Sequence, residues 1–385
     1  MAAPLDGLVV LAFEQAVSAP YCTRLLGDLG ARVIKVEVPG TGDFTRDYDD
    51  AVRGLAAHFT WLNRNKESLA LDVKAPGSAG VISDLVGIAD VVIQNFAPGA
   101  AARLRVDARS VLAANPRAIA VDVSGYGADG PLAGRRAYDL LVQAEAGSCA
   151  ITGMPGELAK PGIPIADTGA GMHAAIAILA ALHERTRTGA GAAIGIGMFD
   201  VVADLVGWAL NYTLHTGIER APNGMSSPMV SPYGAYPTQD GATVVLGTTN
   251  DAEWQRLSLE MLCREDLAAD PALATNEQRC TARARIDAVI AGWTVERALD
   301  EVLARAEAAR IGCATLNGIA AVVAHPQLRD RGRWIDVDSQ VGPVPSLAAV
   351  PVSAQWSLPL GAIPAVGEHT AAILDELTRR VAPHD

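Results

Sequence analysis

Five short runs within the first 127 residues restrict what this 385-residue chain can fold into: "LVVLAF" (8–13), "RVIKVEV" (32–38), "SLALDV" (68–73), "DVVIQNF" (90–96) and "AIAVDVSGYG" (118–127). Each is rich in Val, Ile, Leu, Ala or Phe, with no regular alternation of polar residues along it. Such strands are buried on both sides, which is the condition of a parallel sheet covered by helices. Helical patterns near 19–30 and 76–88 fall between them, as parallel strands need crossover connections. The layout is α/β, doubly wound and Rossmann-like.

Further helical runs are expected at about 136–147, 170–187 and 199–217, with "AAIGIGMFD" (192–200) as another strand. The stretch "ERAPNGMSSPMVSPYGAYPTQDG" (219–241) is dense in Pro and Gly and marks a composition break. Beyond it a strand "ATVVLGT" (242–248) and helices near 251–263, 281–292 and 295–308 suggest a smaller α+β unit, and a last helix is expected near 368–380. The expected division is a large domain over 1–200, a linker over 201–221, a small domain over 222–324, and a linker with a C-terminal return to the large domain over 325–385. A chain of this length usually forms more than one core.

Half of the residues are hydrophobic, and the formal net charge is −12. That balance disfavours a nucleic-acid surface, which needs a basic field, so any anionic ligand has to be met by a local basic cluster. No run reaches 18 uninterrupted apolar residues and the N-terminus has no basic segment before a long apolar one, so no membrane span is expected and cytoplasm is the simplest address. The five cysteines are scattered and suggest neither a disulfide framework nor a metal site; the seven histidines show no ligand spacing. No metal is expected.

"GAGMHA" (169–174) fits a dinucleotide-binding turn and Glu37 sits where such folds hold a ribose, but the two occur in the wrong order. The first strand-to-helix turn, "AFEQAVSAPYC" (12–22), contains no glycine. Serine-hydrolase, P-loop and zinc-protease motifs are also missing. One feature remains: in "KPGIPIADTGAGMHAAIAILAALHER" (160–185), Asp167 stands between a short apolar run and the start of an apolar helix. It is either an N-cap, accepting from the first-turn N–H groups, or a nucleophile beside glycines that let a ligand approach.

Taken together, "APYCTRLLGDLGARVIKVEVPGTGDFTR" (19–46), "LNRNKESLALDVK" (62–74), "ADVVIQNFAPGAAARL" (89–104), the Asp167 segment, "HPQLRDRGRW" (325–334) and "GEHTAAIL" (367–374) resemble the class III, or CaiB/BaiF, CoA-transferase family over nearly the whole chain. The resemblance implies an acyl-CoA:carboxylate CoA-transferase with acyl-CoA and a free carboxylic acid as substrates and no tightly bound cofactor. It implies that Asp167 attacks the thioester carbonyl, with Gly169 and Gly171 offering N–H groups to the oxyanion or serving backbone geometry alone. Lys74, Arg103 and Arg136 match positions that meet CoA phosphates; Leu71, Asn95 and Phe96 match neighbours of nucleotide and pantetheine; Gln15 and Ala16 line CoA through their backbone. Tyr138 and Asp139 stand where family racemases carry a His-bearing segment, and Asp139 is either a site residue or a helix cap. Because Tyr138 is a poor base, with an ordinary pKa of about 10, the transferase reading leads over α-methylacyl-CoA racemase chemistry. A non-catalytic CoA-binding protein would not need Asp167. Val17 and Val38 replace a glutamine and an arginine of formyl-CoA transferases, and Ser227-Pro228 stands where many relatives have His-Pro. The resemblance also implies an interlaced homodimer. Segments 13–24 and 48–68 look closest to members acting on C4–C5 dicarboxylates, with Arg46, Arg53 or Arg64 as the cation for a second carboxylate.

Overall fold

In the computed structural model, which describes residues 2–381, the chain forms two compact units. Among the described residues the first comprises 2–150, 160–220 and 332–381, and the second 151–159 and 221–331.

The first unit is built on a six-stranded sheet: β1 (Val9–Phe13), β2 (Arg32–Glu37), β3 (Lys66–Ala70), β4 (Val91–Gln94), β5 (Ile119–Ser124) and β6 (Ala192–Gly197). All pairs are parallel and the spatial order is β3-β2-β1-β4-β5-β6. Strand alternation divides the buried side chains between two cores. Val10, Ala12, Val33, Val91, Ile93 and Val121 face one layer, made by α1 (Ser18–Asp28), a long helix α4 (Ile165–Thr188) and α5 (Met198–Leu205). Leu11, Phe13, Ile34, Val36, Val92 and Ala120 face the other, made by α2 (Ser78–Ile88), Ala108–Ala114 and the C-terminal helix Thr370–Val381. The expected α/β class with a parallel sheet is therefore present.

The sheet order reverses at β1. Connections from β1 and β4 leave in opposite directions, opening a crevice beyond their C-terminal ends, where ligands of such sheets bind. Helix α4 has the length and apolar composition of a membrane span, but it packs through Ala166, Ala170, Ala174 and Ile178 into the first core. Its approach to α1 is close at Gly171, where an added Cβ would lie 2.6 Å from the Ser18 carbonyl oxygen and 3.1 Å from Tyr21 Cβ.

Several elements differ from the sequence-based expectation. Strand β3 begins at Lys66 rather than 68, because the polar Lys66 is buried by ionic and hydrogen-bond partners instead of lying in a loop. Helix α4 begins at Ile165 rather than 170, so Asp167 lies inside its first turn. The helical run expected over 199–217 is divided at Val206 into α5 and α6 (Gly207–Thr216). The span after 325 contains a strand pair, Trp334–Val337 with Val344–Leu347.

The second unit has a three-stranded antiparallel sheet in which Thr243–Gly247 is central, flanked by Tyr233–Pro237 and Gly312–Thr315. Tyr233–Pro237 lies within the stretch expected to be all loop; its proline and glycine are tolerated because it is an edge strand. Trp254, Leu257, Ile286, Ile290 and Val302 fill this unit's own core.

The Gly171 contact is with backbone, which cannot rotate away. Gly171→Ala is expected to destabilise the protein by about 1–3 kcal/mol, as overpacking does, despite alanine's better helix propensity. Chemical denaturation measures this; a variant as stable as the wild type would show that the two helices can separate at no cost.

Candidate active site

The crevice at the sheet reversal is lined by the turn after β1 and the residue after β4. Asn95 follows β4 and clips the turn from both sides: its Oδ1 accepts from Gln15 N at 2.9 Å and its Nδ2 donates to Gln15 O at 2.8 Å. The same Nδ2 donates to Ser18 Oγ at 3.2 Å. Ala16 adopts φ +60°, a left-handed conformation uncommon for a non-glycine residue, and Ser18 then opens α1.

Ser18 faces Asp167. The first-turn N–H groups of α4 need acceptors, and Asp167 does not supply them. Asp139, the first residue of α3 (Asp139–Glu145), reaches across: its Oδ1 accepts from Ala166 N at 3.0 Å and from Asp167 N at 3.4 Å, while its Oδ2 accepts from Gln143 Nε2 at 2.7 Å. Thr168 N donates to Pro164 O at 2.9 Å. The capping role is thus played by Asp139 for a helix other than its own, and the Asp167 carboxylate is left free of it.

Asp167 has its pKa raised to about 7. Burial is the main cause, the Asp139 carboxylate adds repulsion, and the Ser18 hydroxyl, which hydrogen-bonds to Asp167, acts in the opposite direction. A helix N-terminus favours a carboxylate by only about 0.3–1 kcal/mol at exposed positions. A rise of roughly three pH units corresponds to about 4 kcal/mol, so burial prevails over the dipole.

Gly169 and Gly171 lie past the first turn, in the body of α4, where N–H groups are committed to the helix ladder. The expectation that they offer donors to an oxyanion is therefore corrected. Their small size serves packing: a Cβ on Gly169 would lie 2.8 Å from Val201 Cγ1, and Gly171 admits the backbone of α1.

The remaining expected residues all lie beyond the C-terminal ends of β1, β3, β4 and β5. Leu71 follows β3, donates its N–H to Glu37 O at 2.9 Å and packs on the second core. Lys74 is exposed in the turn after it. Phe96 stands 6.2 Å, ring to ring, from Phe13. Arg103 is in the last turn of the short helix Ala100–Leu104, and Arg136 and Tyr138 are exposed on the segment leading into α3. No ion pair engages Lys74, Arg103 or Arg136 among the described residues, in contrast to the three arginines expected to meet a second carboxylate. Arg46 is held bidentately by Glu37, at 2.9 and 2.8 Å; Arg64 by Asp28, at 2.7 and 2.6 Å; and Arg53 donates to the carbonyls of Val341 and Pro343. These guanidinium groups are occupied by the fold, and the assignment of a substrate carboxylate to them is withdrawn.

Two residues that sequence reasoning passed over belong to this region. Ser18 sits in "VSAP" and looks like an ordinary helix start, so nothing local distinguishes it. Tyr48 is exposed and lies within electrostatic reach of Asp167 and Tyr138, and its ring stacks 5.8 Å from those of Phe44 and His58. The series Phe44, Tyr48, His58, Trp61, Tyr21 is a signal the sequence carried only as scattered aromatics. Among the described residues no three His, Cys, Asp or Glu side chains converge as a metal-holding group.

A parallel sheet with an acid beside its reversal point, and basic residues on the surrounding connections, suits chemistry on an anionic acyl carrier. The sequence profile of CoA-transferase family III matches residues 5–370. The chain is 32% identical, over 97% of its length and 94% of the relative's, to succinyl-CoA–D-citramalate CoA-transferase of Chloroflexus aurantiacus. It is 33% identical, over 97% and 96%, to succinate–glutarate CoA-transferase of Agrobacterium fabrum. A CaiB/BaiF family protein from Brucella suis superposes with a TM-score of 0.86 at 34% identity, covering 98% of this chain and 100% of that one. The chain belongs to CoA-transferase family III and is a CoA-transferase.

The raised pKa of Asp167 has a consequence for stability. Its folded-state pKa lies above that of the unfolded chain, near 3.9, so folding favours the protonated form. The stability this provides is complete below about pH 4 and is lost as pH rises towards 7. Asp167→Asn, which removes the charge, is expected to raise the melting temperature by a few degrees at pH 8 and to change little at pH 4. Thermal unfolding at the two pH values measures it.

Proposed function

We propose that the protein moves CoA between carboxylic acids with Asp167 as the nucleophile. The observation that carries this reading is an acid at the sheet reversal that is relieved of capping duty by Asp139 and held by Ser18. Asp167 attacks the thioester carbonyl; the C–S bond breaks, CoA leaves as the thiolate, and an acyl-aspartyl anhydride remains. The thiolate attacks the aspartyl carbonyl and expels the donor acid, leaving an aspartyl-CoA thioester. The acceptor carboxylate attacks that thioester to give a second anhydride, and thiolate attack at its acyl carbonyl releases the new acyl-CoA and restores Asp167. One difficult exchange is divided into steps that each pass through an activated acyl group.

In this reading Lys74, Arg103 and Arg136 meet the CoA phosphates, Arg bidentately and Lys as a point charge. Leu71, Asn95 and Phe96 flank nucleotide and pantetheine, and the Gln15–Ala16 backbone lies along the thioester. CoA is a substrate, and the chemistry needs no resident cofactor. The names of the relatives favour C4–C5 dicarboxylates as acids. A cytoplasmic location suits substrates of this kind.

We also propose a homodimer. The helix carrying Asp167 exposes Met172 and Ile176, the latter at 63%, and α6 exposes Trp208, Leu210 and Leu214. A run of exposed apolar side chains on two helices marks an interaction surface. Sedimentation at micromolar concentration is expected to show a dimer, and a monomer there would remove this proposal.

The transferase reading is tested by mass spectrometry of acyl-CoA after incubation with succinyl-CoA and a panel of free acids. The wild type is expected to form new acyl-CoA, and Asp167→Ala to reduce the rate by on the order of a thousandfold or more. Because the nucleophile must be ionised, kcat/KM is expected to fall with acidity below about pH 7. Unimpaired exchange in Asp167→Ala would overturn the reading.

A further inference from the structure

Six ionisable side chains, three acids and three bases, are packed beneath the turn after β1. Glu14 Oε1 accepts from Lys66 Nζ at 2.7 Å and from Lys35 Nζ at 3.3 Å, and its Oε2 accepts from Thr23 Oγ at 2.6 Å. Lys35 Nζ also donates to Asp43 Oδ2 at 2.9 Å. Glu37 holds Arg46, accepts from Asp43 N at 2.9 Å and takes the Ser68 hydroxyl at 2.5 Å. The side chains of Glu14, Lys35, Asp43 and Lys66 are completely shielded from solvent.

Burying an ion costs several kcal/mol, and well-packed apolar groups would fill the same space without that cost. Stability alone does not account for the cluster, but its position supplies a reason. Glu14 is itself the residue that begins the turn. Asp43 Oδ1, besides accepting from Thr45 N at 3.0 Å and Thr45 Oγ at 2.9 Å, faces Ala16 N at 3.4 Å. Ala16 is the residue at φ +60°, a conformation that costs a non-glycine residue about 1–2 kcal/mol. Two residues later Ser18 presents its hydroxyl to Asp167 and its carbonyl to the space left by Gly171.

We propose that Asp43, fixed by Lys35, is a positioning residue that holds Ala16 in the left-handed conformation so that Ser18 reaches Asp167. The proposal rests on the reading of Asp167 as the nucleophile. The polar and charged groups facing Asp167 are Asp139 from α3, Ser18 from α1 and Tyr48, which in turn lies within electrostatic reach of Tyr138. Of these, Ser18 favours the ionised form through its hydrogen bond, and the geometry makes Ser18 depend on Asp43. The two possible effects of removing Asp43 have opposite signs. Loss of its negative charge alone would move the titration of Asp167 to lower pH; loss of the Ser18 bond moves it to higher pH.

The test compares CoA exchange and its pH profile in wild type, Asp43→Ala, Asp43→Ala/Ala16→Gly, Ser68→Ala and Asp167→Ala. Asp43→Ala is expected to lower kcat by ~10-fold or more, as displacement of a reacting group does, and to move the acid limb of kcat/KM to higher pH. Adding Ala16→Gly is expected to restore part of the rate, because glycine takes a positive φ without strain. Ser68→Ala breaks the cluster at the Glu37 end; it is expected to lower the melting temperature while leaving kcat and the acid limb as in the wild type. If Asp43→Ala fails to fold, Asp43→Asn with the same readouts replaces it. A folded Asp43 variant with wild-type kcat and acid limb overturns the inference, as does an acid limb moved to lower pH, an equal loss in Ser68→Ala, or no recovery on adding Ala16→Gly. Exchange surviving in Asp167→Ala would overturn the nucleophile reading instead, so the two failures are told apart.

Discussion

A single carboxylate, Asp139, decides both where the helix bearing Asp167 begins and what charge Asp167 feels. By accepting from the N–H groups of Ala166 and Asp167 it satisfies donors that would otherwise draw in the nearest side-chain oxygen, which is that of Asp167 itself. A capped Asp167 would be held by hydrogen bonds to its ionised form and kept acidic. Freed of that duty and buried, it is left with a carboxylate neighbour on one side and a serine hydroxyl on the other, and its pKa rises to about 7. Local helix geometry and reactivity are two results of one contact.

The surroundings show the same economy in placing polar groups. Apolar residues fill both faces of the sheet, and among them Glu14, Lys35, Glu37 and Lys66 are buried with balanced charge. Burial by itself would raise the carboxyl pKa values of Glu14 and Glu37, yet Lys66 and Lys35 beside Glu14, and Arg46 and Lys35 beside Glu37, hold both below the usual carboxylate range. For Lys66 burial wins, and its pKa falls to about 8. The apolar part of the strands supplies the driving force for folding, and the ionic part fixes the direction in which the chain leaves them.

This division explains what could be read from the sequence. Strands β1, β4 and β5 are legible because their runs are mostly apolar, and β2 because Val33, Ile34 and Val36 carry the pattern through its charged residues. Strand β3 was placed two residues late because Lys66 and Glu67 look like loop residues until Glu14 and Arg32 are brought to them, pairings no local pattern reveals. Asp167 was legible as a notable acid in an apolar setting, but not its place within the helix, since its cap comes from a residue 28 positions away. The same limit applies to Arg46 and Arg64: as isolated arginines they look available for a substrate, and only the fold shows Glu37 and Asp28 holding them. Gly169 and Gly171 stood out correctly as special, but the reason is the space between helices rather than their N–H groups.

The pKa of Asp167 bears on the chemistry of the proposed exchange. A carboxylate whose conjugate acid titrates near 7 is a stronger nucleophile than an ordinary aspartate. In the mixed anhydride the substrate acid, with an ordinary pKa near 4, is the better leaving group, so thiolate attack at the aspartyl carbonyl is the intrinsically easier direction. The final step must run against that bias, expelling Asp167 from the second anhydride. A hydrogen bond that strengthens as charge returns to Asp167 lowers the barrier to that expulsion, and Ser18 is the group placed to provide it. The turn that carries Ser18 therefore has to be held more rigidly than a loop at a sheet edge normally is. Asn95 on one side and Asp43 on the other, at the cost of a left-handed alanine between them, supply that rigidity.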